Sequence, residues 1–276
     1  MAARKRKAEL KVGFIGVGKM GSCLVKGAVG YGAVAADMVW VYDVDGGKVK
    51  ILSESLGVHA AKDIPEVGRR SDVVFLAVKP DQFPGAAKEL REVMSRSKSV
   101  VSIMAGVEIA RIAGALGGKC AVVRVMPNVA SRIREGIAAI ACGSGVSLEV
   151  YRFVNNLFGA LGGVVEVEEK KMDAVTALSG SGPAYVFMMM EALVDAGVMV
   201  GLDRQTATKL AVRTVVGAGR LAEETGLEPS ELRAEVSSPG GTTVEAVAVL
   251  ERRGFRSALM DAVAAAWAKS KGMSGK

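Results

Sequence analysis

Residues 10–21 read LKVGFIGVGKMG. The run into Ile15 is mostly apolar without alternation, as a strand buried on both faces of a parallel sheet requires. Gly16, Gly18 and Gly21 follow with the spacing G-x-G-x-x-G, and the helix-forming SCLVKG comes next. Strand, tight turn and helix start in that order let a backbone come close to a pyrophosphate, whose charge the free N–H groups at a helix start favour. In a chain with 34 glycines the spacing alone is weak; its context makes it specific. Asp43 closes the next apolar run, 22 residues beyond Gly21, where a carboxylate meets an adenosine ribose 2′-hydroxyl. The expectation is a nicotinamide dinucleotide held by Gly16, Gly18, Gly21 and Asp43. A carboxylate there repels a 2′-phosphate, so Asp43 favours NADH over NADPH, with Lys48 and Lys50 as partial offsets.

Outward from this motif the same rhythm repeats. MVWVY, DVVFLAV, SVVSI and AVVRV are further β-rich runs, separated by amphipathic segments such as DQFPGAAKELREVM and GVEIARIAGAL. Strand and helix in alternation predict an α/β fold, a Rossmann-like doubly wound sheet over residues 11–167. After Glu168 the strand runs stop. Residues 171–200, 204–224, 229–236, 239–253 and 256–271 read as helices punctuated by Gly201, Gly226 and Gly254, an all-helical second domain over 168–276. Its first helix is apolar on more than one face, too much so for a lone surface helix. That predicts burial against a second copy of the chain, a homodimer through the helical domain.

Composition narrows the function classes. The formal net charge is +7, but Arg4, Lys5, Arg6, Lys7 and Lys11 supply five positive charges against Glu9. Residues 1–10 therefore read as a flexible basic tail on a near-neutral body, which argues against a nucleic-acid partner. Cys23, Cys120 and Cys142 are far apart with no C-x-x-C pair, so neither a disulfide framework nor a zinc site is expected. They read as small buried hydrophobes in a reducing cytoplasm. His59 is the only histidine, which leaves no multi-histidine metal site, and it reads as incidental. The longest uncharged stretch, 174–190, is interrupted by SGSGP and is short of the roughly twenty apolar residues a membrane span needs.

Residues 237–250, SSPGGTTVEAVAVL, pose a different question. From Val244 onward the apolar spacing is helical. Ser238 suits an N-cap and Pro239 the first helical position. Gly240 and Gly241 then fall in the first turn, where each gives up about 1 kcal/mol of helix propensity against alanine. A backbone that a ligand must approach closely explains that loss. The amides of Gly241, Thr242 and Thr243 form a cradle for a small carboxylate, with the hydroxyls of Ser238, Thr242 and Thr243 around it. Ser179 and Ser181, in ALSGSGPAY, read equally as site residues or as backbone adjustment beside Gly180, Gly182 and Pro183.

The chain resembles the pyrroline-5-carboxylate reductase family along nearly its whole length. The resemblance runs from GFIGVGKMG through FLAVKPDQF, SIMAGV, RVMPN, DAVTALSGSGPAYVF, EALVDAGV and SSPGGTT to GFRSALMDAV. It implies hydride transfer from NAD(P)H to the C=N bond of 1-pyrroline-5-carboxylate, giving L-proline in the last step of proline biosynthesis. It also implies a Rossmann domain followed by a helical domain that interlocks two subunits, with dimers often assembling further. The family's cofactor positions fall on Gly16, Gly18 and Gly21, on Val78, Lys79 and Pro80, on Ala105 and Gly106, and on Met126, Pro127 and Asn128. Its carboxylate site falls on Ser238, Gly240, Gly241, Thr242 and Thr243, and the threonine that hydrogen-bonds the ring nitrogen is Thr243.

The chain departs from the family pattern in places. Val129-Ala130 stands where Thr-Pro is common, Glu228-Pro229 where His-Pro is, and Arg213 where a glutamine is. Asp63 replaces an asparagine near the adenosine end and, with Asp43, adds to the NADH preference. Two alternatives stay open: a reductase of another cyclic imine, and a non-catalytic dinucleotide-binding regulator. A hydroxyacid dehydrogenase is disfavoured, because residues 173–200 hold no lysine to protonate an alkoxide.

Overall fold

The glycine motif lies beside the point where the chain changes direction across one sheet. A computed structural model describes residues 10–274. Its eight strands are β1 (Val12–Ile15), β2 (Val39–Tyr42), β3 (His59–Ala60), β4 (Val73–Leu76), β5 (Ser99–Ser102), β6 (Ala121–Met126), β7 (Gly136–Cys142) and β8 (Gly162–Glu166). Their order is β3-β2-β1-β4-β5-β6-β7-β8. All neighbours run parallel except β6 and β7. The order reverses between β1 and β4, which opens a crevice at the carboxyl ends of those strands.

The central strands are mostly apolar because helices cover both faces. Val12, Phe14, Val73, Phe75, Val101 and Val123 point to one side, under α1 (Lys19–Gly30), α2 (Gly46–Leu56) and α6 (Leu148–Gly159). Ile15, Val74, Leu76, Val100 and Val122 point to the other, under α3 (Ile64–Arg70), α4 (Phe83–Arg91) and α5 (Ile109–Ala115). This is the period-two alternation of strand side chains, with both sets buried. Phe14 and Phe75, opposite each other on β1 and β4, stack with centroids 4.7 Å apart. Burying each such ring is worth about 1.5–3 kcal/mol.

The helical half begins with α7 (Met172–Val175), widens into a π-helical turn at Thr176–Gly180, and continues as α8 (Gly182–Met199). Then come α9 (Arg204–Thr225), α10 (Pro229–Glu235), α11 (Thr242–Arg252) and α12 (Phe255–Ser274). Ser179 Oγ donates to the Val175 carbonyl at 3.1 Å, and a methyl on Gly180 would come within 2.5 Å of Met126 Cε. Ser179 and Gly180 thus serve the wide turn and its close packing, whereas a methyl on Gly182 meets nothing within 4 Å.

Two compact units result: residues 1–180 with 266–276, and residues 181–265. Within the second, α8 and α9 approach closely, a methyl on Gly197 falling 2.9 Å from Ala207 Cβ. Among its described residues only Val194, Ala207 and Ala211 form a buried apolar cluster. Phe187, Met188 and Met199 on α8 are 55%, 74% and 81% exposed.

Three details differ from the sequence expectation. Residues 1–9 of the stretch read as a tail lie outside the described residues, whereas Leu10 packs against the sheet core. Cys23 and Cys120 are half-buried, but Cys142, at the end of β7, is exposed. His59 lies in an edge strand, its ring stacked on Trp40 at 4.9 Å and its Nε2 3.0 Å from the Asp37 carbonyl. Among the described residues there is no cluster able to hold a metal ion, and no helix is long and apolar enough to cross a membrane.

Candidate functional site

β1 ends at Ile15, and Gly16 turns the chain with φ +92°. A methyl there would fall 2.7 Å from the Ala77 carbonyl oxygen, and one on Gly21 would collide with the carbonyl of Gly16. These two glycines are needed for internal contacts. Gly18 differs: it is the N-cap of α1, and a methyl on it meets nothing within 4 Å. Its open side faces away from the protein's own atoms, where a ligand can come down onto the backbone. No side chain caps α1, and the Ser22 amide donates to Gly18 O at 2.9 Å. The amides of Gly18, Lys19, Met20 and Gly21 are left at the positive end of the helix. This cradle fits a pyrophosphate.

Asp43 follows β2 and meets the same loop. Its Oδ2 accepts the Val17 amide at 2.7 Å and its Oδ1 the Asp45 amide at 2.9 Å. Each oxygen keeps a further lone pair for a hydroxyl. The carboxylate lines a cleft of about 480 Å³ with Tyr42, Val49, Lys50, Glu54 and Lys62, large enough for an adenosine end. Lys48 is 3.2 Å from Asp45, whose carboxyl it holds below the usual value, and Lys50 is 3.7 Å from Glu54. Both lysines offered as offsets to Asp43 thus have nearer acidic partners. Asp63 does not add its charge to the cleft as expected: it caps α3, accepting the Glu66 amide at 2.7 Å, and lies 3.7 Å from Arg69.

The remaining cofactor positions share one edge. Val78, Lys79 and Pro80 follow β4, Ala105 and Gly106 follow β5, and Met126, Pro127 and Asn128 end β6. Because these strands are parallel, all three loops leave on the side of Gly16 and Asp43. The Asn128 side chain is spent on the fold, its Oδ1 accepting the Ile137 amide at 3.3 Å.

Beneath these loops lies a cluster that the sequence did not flag. Arg124, in the middle of β6 and 3% exposed, places Nη1 3.3 Å from Glu169 Oε1 and Nη2 3.9 Å from Asp173 Oδ1. Glu169 Oε1 also accepts the Ile109 amide at 2.6 Å. One charged residue inside the apolar run AVVRV was the available signal, since a buried arginine needs carboxylate partners.

In the second unit, the SSPGGTT segment starts its helix later than expected. α11 begins at Thr242 with Gly241 as N-cap, so the glycine pair precedes the helix. Gly241 N donates to Ser238 O at 3.0 Å, and Gly240 has φ +72°. Pro at the second and a positive-φ glycine at the third position are what a type II turn takes. Proline suits both places, and the turn won because Gly240 can adopt the left-handed region. The Gly241 amide is therefore occupied, and no side chain caps α11. Open amides fall instead on Thr242, Thr243 and Val244, with Thr242 exposed and Thr243 half-buried. The run of open amides is thus shifted by one residue from the sequence expectation.

Two family models match: "Pyrroline-5-carboxylate reductase dimerisation" over residues 169–273 and "NADP oxidoreductase coenzyme F420-dependent" over residues 11–106. The pyrroline-5-carboxylate reductase of Methanosarcina acetivorans is 42% identical, the match covering 95% of this chain and 97% of that protein. The chain belongs to the pyrroline-5-carboxylate reductase family. Among solved structures, the pyrroline-5-carboxylate reductase of Coxiella burnetii is 35% identical with a TM-score of 0.90, covering 96% of this chain and 99% of that one. The Plasmodium falciparum pyrroline carboxylate reductase, with NADP bound, is 31% identical with a TM-score of 0.87, covering 96% and 98%. The chain thus joins a first half that matches a nucleotide-dependent oxidoreductase model to a helical half that matches a dimerisation model.

Proposed function

We propose that the protein reduces the C=N bond of 1-pyrroline-5-carboxylate to L-proline with NAD(P)H, acting as a homodimer. One observation carries this reading: a chain with an open backbone at Gly18 also holds, at Thr242–Val244, a helix start that follows directly on a positive-φ glycine turn and has no side-chain cap. The glycine turn leaves those amides reachable, and amides at the positive end of a helix suit a small carboxylate.

Residues 11–167 hold the cofactor: its pyrophosphate on the amides of Gly18–Gly21, its adenosine ribose on Asp43, its nicotinamide side at Val78–Pro80, Ala105–Gly106 and Met126–Asn128. The reduced nicotinamide supplies the hydride. Residues 168–276 hold the substrate, its carboxylate on the amides of Thr242 and Thr243 with Ser238, Gly240 and Gly241 shaping the approach. The Thr243 hydroxyl hydrogen-bonds the ring nitrogen and fixes which carbon is presented. A protonated imine is already electrophilic, so the chain needs no strong acid. Orientation contributes much of the acceleration.

Asp43 selects NADH. A 2′-phosphate in its cleft faces a carboxylate, and Lys48 and Lys50 have acidic neighbours, leaving Lys62 as the lining cation that tempers the preference. The test is consumption of NADH and of NADPH with pyrroline-5-carboxylate, wild type beside Thr243→Ala. Rapid turnover that the substitution lowers about 10–100-fold, with NADH affinity intact, supports the reading. A folded wild type that binds NADH and turns over neither cofactor with this substrate overturns it and points to another cyclic imine.

A further inference from the structure

The loop carrying Ala105 and Gly106 is held from outside by the end of the chain's last helix. Gly106 has φ +68°, and a methyl on it would lie 2.8 Å from Met273 Cβ and 3.6 Å from the Ser270 carbonyl oxygen. Backbone here is pressed directly against α12. Ser270, 4% exposed, donates its hydroxyl to Asp173 Oδ1 at 2.7 Å. That oxygen lies 3.9 Å from Nη2 of the buried Arg124, whose Nη1 is 3.3 Å from Glu169 Oε1. Glu169 in turn accepts the amide of Ile109, where the same loop enters α5, at 2.6 Å. The loop is thus gripped at Gly106 by packing and at Ile109 by a hydrogen bond, and Arg124 ties the two grips together. All these residues belong to the first unit.

We infer that Ser270 and Met273 are positioning residues for hydride transfer, setting the loop of Ala105 and Gly106 through the Asp173–Arg124–Glu169 cluster. The inference rests on the reading that this loop carries the nicotinamide. Ser270 touches neither cofactor nor substrate in this account; it acts through the loop. Without its hydroxyl, Asp173 keeps Arg124 but the helix end loses its tie to the cluster, and the loop is free to shift by a fraction of an ångström. Such a shift costs hydride transfer more than it costs binding, because transfer depends steeply on donor–acceptor geometry.

The test compares full-length wild type, Ser270→Ala, Ser270→Thr and Met273→Gly for kcat, KM, dissociation constant of the reduced cofactor and the isotope effect with 4-deuterated cofactor. Ser270→Ala is expected to lower kcat about tenfold and enlarge the isotope effect while cofactor affinity stays within about twofold. Ser270→Thr, which keeps the hydroxyl, restores kcat. Met273→Gly, which removes the Cβ packed on Gly106, moves the same quantities in the same direction and carries the test if Ser270→Ala does not fold. Wild-type kcat and isotope effect in Ser270→Ala overturn the inference. So does a loss of kcat that falls in step with cofactor affinity and that threonine leaves uncorrected. A wild type inactive with pyrroline-5-carboxylate overturns the functional reading instead, so the two failures are distinct.

Discussion

The Asp43 carboxylate accepts the Val17 amide at 2.7 Å, joining the end of β2 to the middle of the glycine loop. One side chain therefore does two things. It fixes the loop that turns into α1, and it presents negative charge to the cleft beside β2. On the proposed reading, cofactor choice and loop geometry both depend on that residue, so a substitution that removes the carboxylate outright would change both.

Asp43→Asn separates the two effects. The amide oxygen still accepts from Val17 while the charge disappears, and the hydrogen bond from the Asp45 amide is lost at a cost of about 1 kcal/mol. The ratio of kcat/KM for NADPH over NADH is expected to rise about tenfold, equivalent to about 1.4 kcal/mol of relieved repulsion. Thermal unfolding should move little. Steady-state rates with each cofactor check this, and an unchanged ratio would remove Asp43 from cofactor selection.

Gly18 and Gly21 predict opposite phenotypes. A methyl on Gly21 collides with the Gly16 carbonyl, whereas one on Gly18 meets no protein atom within 4 Å. Gly21→Ala should destabilise the first unit by about 1–3 kcal/mol, as overpacking does. Gly18→Ala should fold normally, stable within about 0.5 kcal/mol, and still lose at least about tenfold in NADH affinity. Chemical denaturation paired with fluorescence titration of NADH reads both. Normal NADH binding by Gly18→Ala would mean that the pyrophosphate does not lie on this helix start.

Much of this architecture was legible in the sequence because burial on both faces leaves unbroken apolar runs. β1, β2, β4, β5 and β6 were found that way. β7, GIAAIAC, was not, since its alanines carry little strand signal, and β8 opens on Gly162-Gly163. Two-residue β3 is too short for any periodicity. Helix ends in the second half were readable because Gly201, Gly226 and Gly254 take positive φ of 103°, 64° and 72°. The local backbone was legible at Gly16 and Gly240, both of which take positive φ. The site was misread where one residue type serves two local purposes. Asp63 has the composition of a cofactor acid and the position of an N-cap, and Pro239 suits both a helix start and a turn. The Arg124 cluster stayed hidden because Glu169 lies 45 residues away and only folding brings it near.

The turn before α11 gives a prediction about the substrate carboxylate. Gly240 at φ +72° lets Ser238–Gly241 close, with Thr242 and Thr243 beyond it. Alanine at 240 costs about 1–2 kcal/mol in that region, and relaxing the turn would displace the open amides. Gly240→Ala should raise KM for pyrroline-5-carboxylate about tenfold and leave KM for NADH unchanged. Against 1-pyrroline, which lacks the carboxylate, the variant and wild type should be nearly equal. Equal penalties on both substrates would show that these amides do not hold the carboxylate.

The helical half predicts its own partner. Phe187, Met188 and Met199 on α8 are 55%, 74% and 81% exposed, and the second unit buries few apolar residues of its own. Exposed apolar patches of this kind mark interaction surfaces, and the matched family model over residues 169–273 is one of dimerisation. In a symmetric pair, each substitution enters the interface twice. Met188→Glu would bury two unpaired carboxylates, each costing several kcal/mol, enough to raise a dimer dissociation constant at least about a thousandfold. Light scattering coupled to size-exclusion chromatography should find wild type as a dimer or larger and Met188→Glu as a folded or partly unfolded monomer. A wild type that stays monomeric at micromolar concentration would leave α8 uncovered and would overturn the dimer. A Met188→Glu protein that remains dimeric would move the interface to another face of the same helices, where the α9 surface around Val212 and Val216, 38% and 40% exposed, is the next to substitute.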